Sequence, residues 1–86
     1  MSLNDTESAL VGYCPICGQG RQFIARERET GDYYVMCEDC ESEWESPDGC
    51  DDIDKALSDS HGRSDFISLE AAENHKWKEY VKNRRN

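Results

Sequence analysis

No stretch of this 86-residue chain is a long apolar run. A helix crossing a bilayer needs about 20 consecutive apolar residues, so a helical membrane anchor is excluded. The opening Met1-Ser2-Leu3-Asn4-Asp5 lacks both the basic start and the apolar core of a secretory leader. A cytoplasmic, reducing setting is therefore expected, and structural disulfides are not. Positive charge is also scarce: 10 Lys and Arg stand against 19 Asp and Glu, for a net -9. No basic stripe follows any predicted strand. Direct nucleic-acid binding normally requires such a footprint, so it is not expected here. Apolar residues make up 36% and mean hydropathy is -0.93, which suits a surface-rich soluble domain. A chain this short cannot build a large core and needs another source of stability.

Cysteine supplies that source. Cys14-Pro15-Ile16-Cys17-Gly18 and Cys37-Glu38-Asp39-Cys40 are two Cys-x-x-Cys knuckles separated by nineteen residues. Each knuckle can aim two sulfurs at one point, and two knuckles joined by a hairpin complete a tetrahedron. Cys14, Cys17, Cys37 and Cys40 are the expected ligands of one structural Zn2+ held by four thiolates. Pro15 stiffens the first knuckle and Gly18 permits a tight turn after it. The second knuckle has no following glycine. Two disulfides are the alternative, disfavoured by the expected compartment. A thioredoxin-like pair would leave the other pair unexplained. Iron also accepts four thiolates. The second knuckle lacks the proline and glycine of rubredoxin-like carriers, so zinc is preferred.

The remaining cysteine, Cys50, reads as a small, partly buried residue. A nucleophile needs a lowered pKa and an aligned base, and no local signature joins Cys50 to His61 or His75. Four thiolates leave zinc no open position for substrate or water. No catalytic residue is assigned, no small-molecule substrate is expected, and the chain is not read as an enzyme.

Charge is unevenly placed. Residues 38–59 hold ten acids and only Lys55, whereas residues 60–86 carry four acids and six bases. The acidic belt comprises Glu38, Asp39, Glu41, Glu43, Glu45, Asp48, Asp51, Asp52 and Asp54. It is a candidate surface for a basic protein partner, although acidic surfaces also serve solubility alone. Trp44 lies inside the belt and is either core or an apolar interface anchor.

The expected fold is small α+β: a zinc-ribbon β-hairpin followed by two C-terminal helices. Residues 1–49 form the ribbon portion with its N-terminal tail. Residues 50–86 form a helical extension packed on it, within one compact domain. The tail ends in Ala9-Leu10-Val11, placed to pack beside the metal domain, and Tyr13 is placed to cover the first knuckle. Phe23 and Ala25 sit in one strand and Tyr33-Tyr34-Val35-Met36 in the next, with Thr30-Gly31-Asp32 as the turn. Arg26, Glu27, Arg28 and Glu29 read as cross-strand surface pairs. Ser46-Pro47-Asp48-Gly49 is a break. Ile53, Ala56 and Leu57 share a helical face, which predicts a helix over 51–59 ended by Ser60-His61-Gly62. Residues 62–67 are a loop or a short third strand. Ser68 caps the last helix, whose stripe is Leu69, Ala72, Lys76, Trp77, Tyr80 and Val81.

The segment from Tyr13 through Cys40 resembles the zinc-ribbon class, with the four cysteines at its ligand positions. The extension Glu43-Trp44-Glu45-Ser46-Pro47 is similar to that of small bacterial zinc-ribbon proteins, some resembling products encoded beside polymorphic toxins. The resemblance covers about half the chain. It implies an immunity protein that occludes the active surface of a toxin in a stoichiometric complex, a basic nuclease being the natural target. The alternative is an adaptor or regulatory zinc ribbon within an endogenous protein complex.

Overall fold

The computed structural model describes residues 7–57 and 62–83. Its centre is an antiparallel sheet with β1 (Leu10–Tyr13), β2 (Arg21–Glu27), β3 (Tyr33–Cys37) and β4 (Glu43–Trp44) side by side in that order. A fifth strand, β5 (Ser64–Phe66), joins the sheet by pairing with β2.

The long strand β2 organises everything else. Ile24 pairs with Val35 of β3 along one edge. The other edge is shared, with Phe23 opposite Leu10 of β1 and Ala25 opposite Phe66 of β5. The consecutive residues Gln22, Phe23, Ile24 and Ala25 are all buried. Ile24 faces the main core while the Phe23 ring packs on Phe66 across the other face, so both faces of the strand are covered and polar and apolar residues do not alternate. The register of β1 against β2 shifts between Leu10 and Gly12. Such a bulge bends the strand as it approaches the first knuckle. The expected apolar end of the tail is thus a strand in the sheet, while Tyr13, placed to cover the knuckle, is 65% exposed.

The core joins Ile24, Val35 and Trp44 to Ala9, Val11, Leu69, Ala72 and Val81. Burying each large aliphatic side chain contributes about 1.5–3 kcal/mol. Residues 7–10 and 82–83 are fastened together at one side. Asn83 accepts from Leu10 N at 3.1 Å and donates to Ser8 O at 2.9 Å, and Lys82 N donates to Leu10 O at 2.7 Å.

The two predicted C-terminal helices are not formed as such. In the described part of the predicted 51–59 helix there is a 3-10 turn at Ile53–Lys55. The Asp52 carboxylate accepts from Asp54 N at 2.9 Å and starts that turn. Ala56 is already extended, and the Leu57 backbone pairs with Glu43. The strand partner thus takes the backbone groups that a longer helix would need. Residues 58–61, which include Ser60 and His61 of the predicted helix end, lie outside the described residues.

Ser68 does cap a helix, its Oγ accepting from Ala71 N at 3.0 Å. That helix, α1, spans only Leu69–Ala72. The chain continues in turns to a further 3-10 segment at Lys78–Tyr80. His75 Nδ1 accepts from Trp77 N at 3.1 Å, which draws that N–H away from an α-helical partner. Much of the predicted stripe nevertheless faces inward, with Leu69, Ala72 and Val81 buried and Trp77 packed against them. Tyr80 is exposed.

Candidate metal centre

The first knuckle fills the turn between β1 and β2, and the second follows β3 directly. Because β1 and β3 flank β2 in antiparallel register, both knuckles lie at the same end of the sheet. Gln22 pairs with Cys37 on one side and with Gly12 on the other.

The two knuckles share the same hydrogen bonds to their first sulfur. Cys14 Sγ accepts from Ile16 N at 3.4 Å and from Cys17 N at 3.5 Å. Cys37 Sγ accepts from Asp39 N at 3.3 Å and from Cys40 N at 3.5 Å. Cys14 N donates to Gly20 O, and Cys37 N donates to Ser42 O, each at 2.9 Å. The residue after each second cysteine is left-handed: Gly18 has φ 72° and Glu41 has φ 64°. The missing glycine of the second knuckle is therefore not a different turn. It is the same turn made by a residue less suited to it. Replacing Glu41 with Gly should raise stability by about 0.5–1 kcal/mol, after allowing for glycine's looser unfolded state. A thermal melt of the zinc-loaded variant reads this, and a lowered midpoint would contradict it.

All four sulfurs lie within 4.8 Å of one another. Cys14 and Cys40 Sγ are 3.6 Å apart, and Cys17 and Cys37 Sγ are 3.7 Å apart. A disulfide needs about 2.05 Å. Tetrahedral zinc with Zn–S bonds of about 2.3 Å sets sulfurs about 3.8 Å apart. These thiols are free and spaced as edges of such a tetrahedron. The cluster fits a single structural Zn2+.

The electrostatics also suit thiolate ligands. Hydrogen bonding with Ser42 brings the Cys40 thiol down to about 7, and the backbone N–H of Gln19 leads the lowering at Cys17. Burial raises Cys14, and it raises Cys37 to about 12. A bound dication reverses that cost of burying charge. Gly20 makes the close packing possible. A side chain there would run into Cys37 Sγ and would meet Asp39 Cβ at 2.8 Å. Neither Ser42 nor Gly20 was singled out from the sequence. Their offsets behind the two knuckles are the signal that could have found them.

Cys50 stands apart from the cluster. It is buried in the core, its carbonyl accepts from Gln22 Nε2 at 2.7 Å, and burial pushes its thiol up. Gln22, fully buried, is a second residue that sequence reasoning passed over.

The acidic belt divides. Glu38 is held in a two-pronged pair with Arg21, with Nε–Oε2 at 2.7 Å, and Asp39 accepts from Gln19 Nε2 at 2.9 Å. Glu43 is only 5% exposed, and its backbone pairs with Leu57. Trp44 is 0% exposed, and its Nε1 donates to Asp52 O at 3.1 Å. Of the two places open to Trp44, the core is the one it takes. Glu43 and Trp44 of the predicted acidic surface are thus buried in this structure. Glu41, Glu45, Asp48, Asp51, Asp52 and Asp54 remain on the outside. The Arg28–Asp65 pair at 2.7 Å is the cross-strand contact that the basic and acidic residues of this hairpin make with β5.

No described helix is long and apolar enough to cross a membrane. The result is a small zinc-ribbon-like β-domain with a closed metal site and short helical turns. No family model, curated protein or solved structure matches the chain.

Proposed function

We propose that this chain is a zinc-stapled binding module that uses its exposed acidic face to cover a basic protein surface. The observation that carries the reading is the division of the belt. Glu41, Glu45, Asp48, Asp51, Asp52 and Asp54 face outward, while their apolar neighbour Trp44 is buried beneath them. Ile53, 56% exposed among them, offers an apolar contact. Complementary charge would speed and orient encounter with a basic partner. Four thiolates around one zinc give the metal a structural part, with no coordination position left for chemistry.

The biological role we favour is neutralisation of a toxin, a basic nuclease in first place, by stoichiometric occlusion of its phosphate-binding surface. This finer reading rests on the resemblance of the ribbon and its Glu43–Pro47 extension. An adaptor within an endogenous complex uses the same face and differs in the partner captured. Affinity capture with the zinc-loaded chain, followed by identification of the protein retained, separates the two. The combined variant Glu41→Gln, Glu45→Gln, Asp51→Asn and Asp52→Asn should weaken capture at least about tenfold while zinc content stays the same. Added salt should weaken the unaltered complex in the same direction. Unchanged affinity of the variant rules out the electrostatic account.

A further inference from the structure

A groove of about 420 Å³ lies beside the outer edge of β3, within the size range of clefts that hold small groups. It exists because β4 is so short. Val35 pairs with Trp44, and the same register would continue by setting Glu45 opposite Tyr34. Instead β4 ends at Trp44, and Glu45 borders the groove. Asp32 borders it from the β2–β3 turn, and Tyr33 and Trp77 supply aromatic surface.

The aromatic wall is built. The rings of Tyr33 and His75 meet edge-on with centroids 4.4 Å apart, and His75 and Trp77 are 5.0 Å apart. The hydrogen bond from Trp77 N fixes the His75 ring. Burial pushes the His75 pKa down, helped by Lys76, so the ring between the two aromatics is neutral at pH 7. The chain already places a cation here. Lys76 Nζ lies 5.5 Å from the Trp77 ring centroid, on an exposed side chain able to move aside. Asp32 and Glu45 are both exposed, and neither takes part in the ion pairs formed among the described residues.

We propose that this groove receives an arginine side chain of the basic protein partner. The guanidinium stacks on Trp77 in the place of the Lys76 ammonium, and its N–H groups meet the carboxylates of Asp32 and Glu45. Aromatic faces attract cations, and a planar guanidinium stacks where an ammonium cannot. Carboxylates accept from it in a matching fork. A protein is the fitting source because Glu45 also borders a second groove with Asp48 and Asp54. Glu45 is thus common to the aromatic groove and the acidic face. The inference rests on the basic-partner reading and names the group that the partner inserts.

The test uses the full zinc-loaded chain, labelled for NMR, and a blocked arginine peptide in a glycine-serine background. The same peptide with citrulline in place of arginine keeps the shape and removes the charge. The chain has 2 tryptophans, so each indole N–H is its own reporter. The Trp77 indole should shift saturably with the arginine peptide, and the buried Trp44 indole should hold still. Citrulline should move neither. The double variant Asp32→Asn, Glu45→Gln should weaken binding by roughly tenfold. Shifts confined to the amides of residues 48–54, with Trp77 unmoved, overturn the groove and leave the basic-partner reading standing. Equal shifts from citrulline, or unchanged affinity of the double variant, also overturn the groove. No shift anywhere overturns both readings.

Discussion

Stripping zinc from the loaded protein with a strong chelator should cost it the fold of the sheet end that carries both knuckles. Structural zinc contributes about 10–16 kcal/mol of apparent binding free energy in small zinc-finger peptides. A domain's whole stability is about 5–15 kcal/mol. The metal-free chain therefore has little left with which to hold two facing pairs of sulfurs. Loss of amide dispersion in NMR, together with release of one zinc per chain, is the expected result. Cys37→Ser should behave alike, since Cys37 is 0% exposed and paired within the sheet. Full dispersion in excess chelator would contradict the structural role of the metal.

Acid should act in the same direction as the chelator. Cys37 is raised to about 12 by burial, and Cys14 is raised as well, so both hold protons at pH 7 until zinc displaces them. Zinc affinity then falls as pH falls, by about tenfold per unit for each proton the metal displaces. The fall steepens once Cys40, at about 7, begins to take up its own proton.

Trp44→Ala should be the most damaging single change away from the metal. Trp44 is 0% exposed, pairs with Val35, and lies in the same core as Ile24 and Val35. Truncating a buried tryptophan costs about 3–5 kcal/mol through lost burial and the cavity left behind. The change also removes the indole donor to Asp52 O, which anchors the 3-10 turn beneath the acidic face. Trp44→Phe keeps most of the volume and loses that hydrogen bond, costing about 1 kcal/mol before any repacking. Denaturant unfolding of the three zinc-loaded proteins should rank them in that order. An alanine variant as stable as the original would remove Trp44 from the core.

The metal site was legible because its chemistry is written in spacing. Four cysteines in two knuckles, with β-rich residues between them, leave few geometries that bring the sulfurs together. The helices were not legible for a physical reason. Ile53, Ala56 and Leu57 stand at helical spacing, but three residues span one turn and serve equally a 3-10 turn followed by a β-bridge. A helix that short has little stability of its own, so its neighbours decide its form. Here Glu43 decided it by pairing with Leu57. The sequence signal around Ser68 was sound for the cap and silent about where α1 stops; beyond it, the His75 ring nitrogen captures the Trp77 N–H. Glu43 shows the complementary limit. Its position in an acidic run suggested surface, and only the sheet register reveals that it is buried.

The fastening at Asn83 links residues 73 and 75 positions apart in the chain. Closing a free loop of that length costs conformational entropy, though the cost grows only slowly with length. Strand β2 shortens the path. A route from Ser8 can cross from Leu10 to Phe23, then from Ala25 to Phe66, and reach Asn83 after short runs of chain. Once β2 has gathered its neighbours, the two distant segments are already close. The Asn83 side chain then fastens ends that the sheet has brought together, rather than drawing them together through open chain.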